Sequence, residues 1–432
     1  MKIVKNKFSI ILLISIIVSV IILIYPNNEK IEKNEKKEQS GNEDFFSSTK
    51  IIPNGIGINV FGNPSEKEVK LMSEAGVKWV RIDLVWSNIE QSKGIYNFRD
   101  TGYDQFIGLL SKYNIQPYLI LDYSNNLYEN EMSVTTNEGR HAFAEFAKVA
   151  AKRYKNLGAI WEVWNEPNLP HYWETTPSYT DYTLLVSSVA PVINEFDPSG
   201  VVIGPAISGV RGDSLTWLEE TFKLGLLDYI DAISVHPYRK FEPETVANDY
   251  DTIQSLIEDY SDKKLPIISG EWGYFVENIP NTYAEEIRQA QNLTRMLLVN
   301  YWKGVPVSIL YEWKNSGEDP NYMHDNYGIM KDANTPKLSY DAIKTFSTTL
   351  NGYFYSERME TESRNDYILK FTNLEGEEIL VLWTTGSEHI IDYSYPSGTG
   401  ELIGMLGDVN SFNWNNKMSI KLTKSPSYLL IN

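Results

Sequence analysis

Apolar and polar positions change period several times along the chain. From Phe8 to Tyr25 the residues are apolar except Ser9, Ser15 and Ser19, and Lys2, Lys5 and Lys7 precede them. At 1.5 Å per residue such a run just spans a bilayer core of about 30 Å. It shows no amphipathic stripe, which argues against a buried core helix. No small-x-small cleavage site follows Ile24-Tyr25-Pro26, so residues 1–25 read as an uncleaved membrane anchor, with a cleaved signal segment as the alternative. Either way the lysines stay in the cytoplasm and the rest of the chain is exported. Residues 26–50 are mixed-charge and almost free of apolar side chains, the pattern of a solvated tether.

From residue 51 short apolar runs alternate with stretches of helical period. The spacing predicts strands at 55–61, 78–84, 116–122, 159–164, 201–204, 231–235, 265–270 and 305–311. Between them it predicts helices at 65–75, 103–113, 138–154, 179–196, 214–224, 243–260, 283–301 and 338–350. Strands alternating with helices imply a parallel sheet. Eight such units over residues 51–350 imply an α/β fold closed as a (β/α)8 TIM barrel. An open doubly wound sheet would carry a Gly-rich phosphate loop, and Gly55-Ile56-Gly57 lacks the third glycine. Residues 351–432 contain short β-like runs at 367–371, 378–383, 388–393 and 427–431 separated by Gly, Asn, Ser and Pro. They predict a small antiparallel β-sandwich domain packed on the barrel side, with a separate carbohydrate-binding module as the alternative.

Composition narrows the chemistry. The 57 Asp+Glu against 39 Lys+Arg give a net charge of −18, which disfavours a nucleic-acid partner. There is no Cys, so thiolate metal sites, iron–sulfur clusters and a cysteine nucleophile are excluded. His141, His171, His236, His324 and His389 form no close pair or His-Glu-x-x-His pattern; neither a metal nor a cofactor is expected. The chain is expected to act as a monomer. Aromatic residues reach 13%, with 28 Tyr and 11 Trp, enough to offer flat apolar faces to a sugar.

In a (β/α)8 barrel, reacting groups sit where strands end. The fourth strand ends Trp164-Asn165-Glu166-Pro167-Asn168 and the seventh Ser269-Gly270-Glu271-Trp272-Gly273. Each places a glutamate at the barrel mouth. Two facing carboxyls in a partly dry site repel when both ionise, so one keeps its proton and the pair divides into acid and base or nucleophile. Glycoside hydrolysis needs that division.

These two segments resemble the acid/base and nucleophile motifs of the retaining (β/α)8 glycoside hydrolases of clan A. Val80-Arg81-Ile82-Asp83 with Trp86 resembles the clan's second strand, Ser234-Val235-His236-Pro237-Tyr238 its sixth, and Tyr311-Glu312-Trp313 its eighth. Within the clan the chain looks closest to family 39, including biofilm-matrix polysaccharide hydrolases, or to family 5. Family 5 members usually carry a His after the third strand; Leu121-Asp122-Tyr123-Ser124 has none, which favours family 39 and leaves Asp122 without a role.

The resemblance implies Glu166 as general acid and then base, its proton retained by burial and by repulsion from Glu271. It implies Glu271 as nucleophile, kept ionised by Tyr238 and Arg81. Asn165 would bond a sugar 2-hydroxyl, and His236 would orient a neighbour or touch substrate. Trp86, Trp272 and Trp313 would stack on sugar rings, with Tyr172 and Trp173 weaker candidates in the loop after strand four. Other readings of single residues remain, such as an Arg81–Asp83 salt bridge. The function expected is hydrolysis of a polysaccharide or oligosaccharide by double displacement. The alternatives are a non-catalytic glycan-binding barrel and a transglycosylase using the same residues. Localisation would be extracytoplasmic, tethered to the membrane.

Overall fold

In the computed structural model the described residues are 45–174, 176–277 and 282–432. The expected anchor and most of the expected tether lie outside them. Among the described residues no helix is long and apolar enough to cross a membrane. Ser47–Asn432 form one compact unit. The last residues of the expected tether already belong to it, because Ser48–Lys50 make a 3-10 turn with Thr49 buried.

Eight strands close a barrel: β1 (Ile56–Asn59), β2 (Trp79–Val85), β3 (Gln116–Asp122), β4 (Ile160–Val163), β5 (Val201–Ser208), β6 (Ala232–His236), β7 (Ile267–Trp272) and β8 (Ser308–Leu310). Neighbours run parallel in chain order, and β1 returns to β8 with Gly57 opposite Ile309. The helices are α1 (Glu66–Glu74), α2 (Tyr103–Lys112), α3 (Asn137–Tyr154), α4 (Tyr179–Phe196), α5 (Asp213–Lys223), α6 (Val246–Tyr260), α7 (Thr282–Trp302) and α8 (Leu338–Thr349). Local chemistry sets their starts. Ser65 and Glu68 make a reciprocal capping box on α1, and Thr136 and Ser178 cap α3 and α4 by accepting from backbone N–H groups. Each helix buries its apolar face on the outside of the barrel, while strand side chains alternate between that layer and the barrel interior.

The chain ends in β9 (Phe354–Arg358), β10 (Asp366–Thr372), β11 (Glu378–Thr384), β12 (His389–Ser394), β13 (Gly398–Ile403), β14 (Val409–Trp414), β15 (Lys417–Leu422) and β16 (Ser427–Ile431). Six form an antiparallel sheet in the order β9-β10-β11-β16-β13-β14, and β12 pairs with β15. Met418, Ile420 and Leu422 of that pair pack on Ile368, Leu380, Leu382 and Leu429 of the sheet. The sheet's other face, with Leu369, Phe371, Val381 and Trp383, joins the core shared with the barrel. Trp383 donates to Glu244 Oε1 at 2.6 Å and stacks on Tyr367, while Trp414 is buried in the smaller core. Both are packing residues here, as a domain docked on the barrel requires.

Candidate active site

Arg81 is the hub of the barrel interior. It alternates inward on β2 and is 2% exposed. Its Nε and Nη2 lie 2.9 and 2.8 Å from Glu162 Oε2. Nη1 donates to Glu271 Oε2 at 2.6 Å and to Asn59 Oδ1 at 3.1 Å, and Nη2 donates to Asn165 Oδ1 at 2.8 Å. Burial opposes the charge, but Glu162 and Glu271 outweigh it and hold the guanidinium above its ordinary range. The hydrogen-bonded partners are thus Glu162 and Glu271, and Asp83 contributes only at longer range. Glu162 carries no expected role in the sequence reading. It is fully buried and also accepts from Tyr118 and Ser234 hydroxyls. Its signal was a charged residue at an inward position of an apolar strand.

Glu271 owes its direction to a break in strand register. Ser308 faces Ser269 but Leu310 faces Trp272, so β7 spends one extra residue against β8. Such a bulge re-aims a side chain. Gly270 stands beside it because a Cβ there would come 2.3 Å from Ser234 Oγ. The re-aimed carboxylate is gripped at both oxygens: Arg81 holds Oε2, and the Tyr238 hydroxyl donates to Oε1 at 2.9 Å. Burial and then the Glu271 charge push the Tyr238 hydroxyl well above its ordinary range, so it stays a donor.

Glu166 has a left-handed φ of 47° and is 8% exposed. Its Oε1 lies 2.9 Å from His236 Nδ1. His236 Nε2 in turn faces Arg81 Nη2 at 3.5 Å, so a ring with its proton on Nδ1 and a lone pair on Nε2 satisfies both contacts. This corrects the expectation that burial and Glu271 keep Glu166 protonated. Burial does raise its carboxyl, but the His236 hydrogen bond, with Ser208 and Arg81, brings it below the ordinary value. Asn165 is engaged at both ends, since its amide nitrogen donates to the Tyr123 hydroxyl at 3.1 Å. Glu166, His236, Arg81 and Glu271 therefore form one connected chain across the mouth.

The three tryptophans are not placed as expected. Trp86 is fully buried, donates to Glu90 at 2.6 Å and stacks on Tyr128 at 5.3 Å. Trp272, the residue after the re-aimed glutamate, donates to Ser308 Oγ in the outer layer and is 1% exposed. Trp313 borders a cleft of about 410 Å³ with Asn59, Phe61 and Tyr311. Its ring is nevertheless buried, faces Glu68 through Nε1 and packs on Tyr340. Trp173 is likewise buried. Tyr172, half-buried and stacked on Tyr123 at 5.9 Å, feels both glutamates: burial and their charges push its hydroxyl up to about 12. Opposite, the half-exposed Phe61 meets Tyr311, which meets Tyr238 and Tyr327. Tyr123, Phe61 and Tyr327 went unassigned in the sequence because single loop aromatics carry no period.

Two clefts flank the end of β1, the one already described and one of about 430 Å³ toward β2. Neither is lined by Glu166 or Glu271 themselves, but each holds a further carboxyl whose charge reaches Glu271. Glu312 is the first of these. It is 2% exposed and accepts from Ser316 Oγ at 2.6 and 2.7 Å. Burial pushes it up to about 7, against the pull of Ser316 and Lys337. Asp83 is the second. Among the described residues no cluster of three or more His, Asp or Glu could hold a metal ion.

A family model described as cellulase, glycosyl hydrolase family 5, matches residues 41–317. The chain belongs to that family. This family 5 member is therefore an O-glycosyl hydrolase, and the match stands although Leu121-Asp122-Tyr123-Ser124 carries no histidine. The other half of the expected resemblance appears in three dimensions. A family 39 glycoside hydrolase from the gut symbiont Bacteroides cellulosilyticus WH2 is 24% identical with a TM-score of 0.77, covering 89% of this chain and 82% of that one. A monomeric β-xylosidase from Caulobacter crescentus CB15 is 15% identical with a TM-score of 0.63, over 88% and 96% of the two chains. A family 30 endoxylanase from Clostridium papyrosolvens C71 is 13% identical, also with a TM-score of 0.63, over 88% and 97%. At these identities the likeness is one of fold. No curated protein matches the hydrolase in sequence.

Proposed function

We propose that this hydrolase is a retaining β-glycosidase acting on a polysaccharide or oligosaccharide, with Glu271 as nucleophile and Glu166 as acid/base. The observation that carries the reading is the connected chain Glu166–His236–Arg81–Glu271 at the barrel mouth. Glu271, fixed at both oxygens, attacks the anomeric carbon as the glycosidic bond breaks. Glu166 gives its proton to the departing oxygen, then takes one from the water that releases the sugar. Because His236 favours ionised Glu166, the first step runs from the protonated fraction, which grows as pH falls; an acidic optimum follows. Tyr172 on Tyr123 and Phe61 with Tyr311 offer apolar rings on either side of the scissile sugar. The protein would work outside the cytoplasm, held by residues 1–25.

A polysaccharide panel with product sizing identifies the linkage. On the substrate found, Glu271→Ala and Glu166→Ala are expected to lose at least about a thousandfold in turnover. Azide should rescue Glu271→Ala with an inverted glycosyl azide and Glu166→Ala with a retained one. Near-normal turnover by both variants, or an inverted wild-type product seen by NMR, refutes the assignment. Membrane fractions lacking the full-length chain refute the tether.

A further inference from the structure

Asp83 and Asp122 take no part in the double displacement, yet they lie beside it. Asp122 ends β3, Asp83 is on β2, and the ladder sets Val85 opposite Asp122. Asp122 is fully buried, and neither of its oxygens receives a hydrogen bond from any donor. A buried carboxylate in that position would be strongly destabilising. Its carboxyl is paired with that of Asp83 through one hydrogen bond, in the sense of a proton carried by Asp122 and given to Asp83. Asp83 is half-buried and forms the floor of the 430 Å³ cleft, whose walls include the side chains of Asn63, Asn88, Gln91, Thr101 and Tyr103. A carboxylate floor among amides and hydroxyls suits a ligand rich in hydroxyl groups and repels an acidic one.

We propose that this cleft is a sugar subsite, that Asp83 is a specificity-determining residue accepting hydrogen bonds from hydroxyls of an uncharged sugar, and that Asp122 is its positioning residue. The proposal rests on the glycosidase reading above and adds the substrate class: a neutral glycan, with uronic or sulfated sugars rejected at this position. The electrostatics agree. Burial raises both carboxyls, and each also affects the other in the sense of Asp122 donating to Asp83. The charged and titratable groups facing the pair are Arg81 from β2, Glu162 from β4, Glu271 from β7, Tyr103 from α2, Tyr123 after β3 and Tyr172 after β4. Arg81 is the one cation among them and is already shared with Glu162 and Glu271. Loss of the shared proton at high pH therefore puts two anions together with only the already shared Arg81 to offset them, and spoils the floor.

The test uses xylotetraose and cellotetraose with the whole enzyme, measuring affinity by titration calorimetry and kcat and KM by reducing-end release. Asp83→Asn is expected to weaken binding of the accepted tetraose by about tenfold or more, as for a lost charged hydrogen bond, with kcat within about threefold. Asp122→Ala should do the same, while Asp122→Asn, whose amide still donates to Asp83, should restore most of the affinity. Wild-type affinity should fall as rising pH removes the shared proton, and that fall should be absent in Asp122→Asn. Melting temperatures identify variants that merely fail to fold, and the near-isosteric Asn variants keep the test decisive. Asp83→Asn within twofold of wild type, Asp122→Asn as impaired as Asp122→Ala, or no wild-type binding of either tetraose overturns the proposal. Glu271→Ala scored on the same sugars separates the two ideas: retained turnover there ends the displacement reading, while the affinities still decide the fate of the Asp pair.

Discussion

Tyr238 offers a clean perturbation of the proposed nucleophile. Replacing it with Phe removes one hydroxyl, 2.9 Å from Glu271 Oε1, and leaves the ring against Tyr311 and Tyr327 at 6.2 and 5.9 Å. No cavity forms, so the melting temperature should fall by no more than the few degrees that one lost hydrogen bond costs. Arg81 still holds Oε2 at 2.6 Å, so Glu271 keeps its charge partner and direction. A hydrogen bond to a charged acceptor is worth about 1.5–3 kcal/mol, or about 10- to 150-fold in rate. The loss should fall unevenly on the two steps. As Glu271 attacks it gives up negative charge to the new C–O bond, so the Tyr238 contact weakens and its removal costs glycosylation little. When water releases the sugar the carboxylate regains that charge, and the missing donor is felt in full. Tyr238→Phe should therefore lower kcat by one to two powers of ten, lower KM in parallel, and leave kcat/KM within a few-fold. A dinitrophenyl β-glycoside of the accepted sugar should show a burst of one phenolate per enzyme in stopped flow. Equal losses in kcat and kcat/KM with no burst, or no change in either, would refute the account of Tyr238.

Four further outcomes follow from the same geometry. His236→Ala removes the main influence that holds Glu166 down and leaves burial, so the basic limb of the kcat/KM profile should move to higher pH; a limb in the same place separates Glu166 from that ring. Arg81→Met strands the fully buried Glu162, a change expected to cost about 3–5 kcal/mol in denaturant melts along with nearly all activity. Trp86→Ala should cost a similar amount, as for other buried aromatics, while KM for oligosaccharides stays within twofold in the folded fraction; a large KM change would return Trp86 to the sugar. Glu312→Gln tests a carboxyl pushed up to about 7 from an ordinary 4.5. The native state binds that proton more tightly than the unfolded chain, so wild-type stability falls as pH rises from about 4.5 to about 7 and the Gln variant should gain relative to it over that window, by at most about 3 kcal/mol; equal pH slopes in urea melts would show that Glu312 does not titrate there.

The barrel was legible because its two periods are clean. All eight strands and eight major helices fall within a few residues of where the apolar spacing put them, although bulged β7 starts and ends two residues later than 265–270. The C-terminal sheet was harder. Strands at 354–358, 398–403, 409–414 and 417–422 were unassigned because their outward positions are polar and Gly398, Asn413 and Asn415 resemble turn chemistry. At the site, the two glutamates could be found because each ends an apolar strand, while Arg81 came from the family resemblance. The tryptophans could not be placed by proximity in sequence. Adjacent residues of a strand face opposite layers, so the residue next to an inward glutamate faces outward. Trp272 follows that rule, and the same bulge that aims Glu271 at the mouth aims its neighbour at Ser308. Trp86 is withdrawn by a different cause, a one-turn helix that closes β2 and turns the ring onto Glu90 and Tyr128. The aromatic surface left at the mouth consists instead of Tyr172, Tyr311 and Phe61, residues of the βα loops, where no period marks the direction of a side chain. What decides which aromatic rings reach the barrel mouth is the geometry of loop ends, set by long-range packing that a local pattern does not encode.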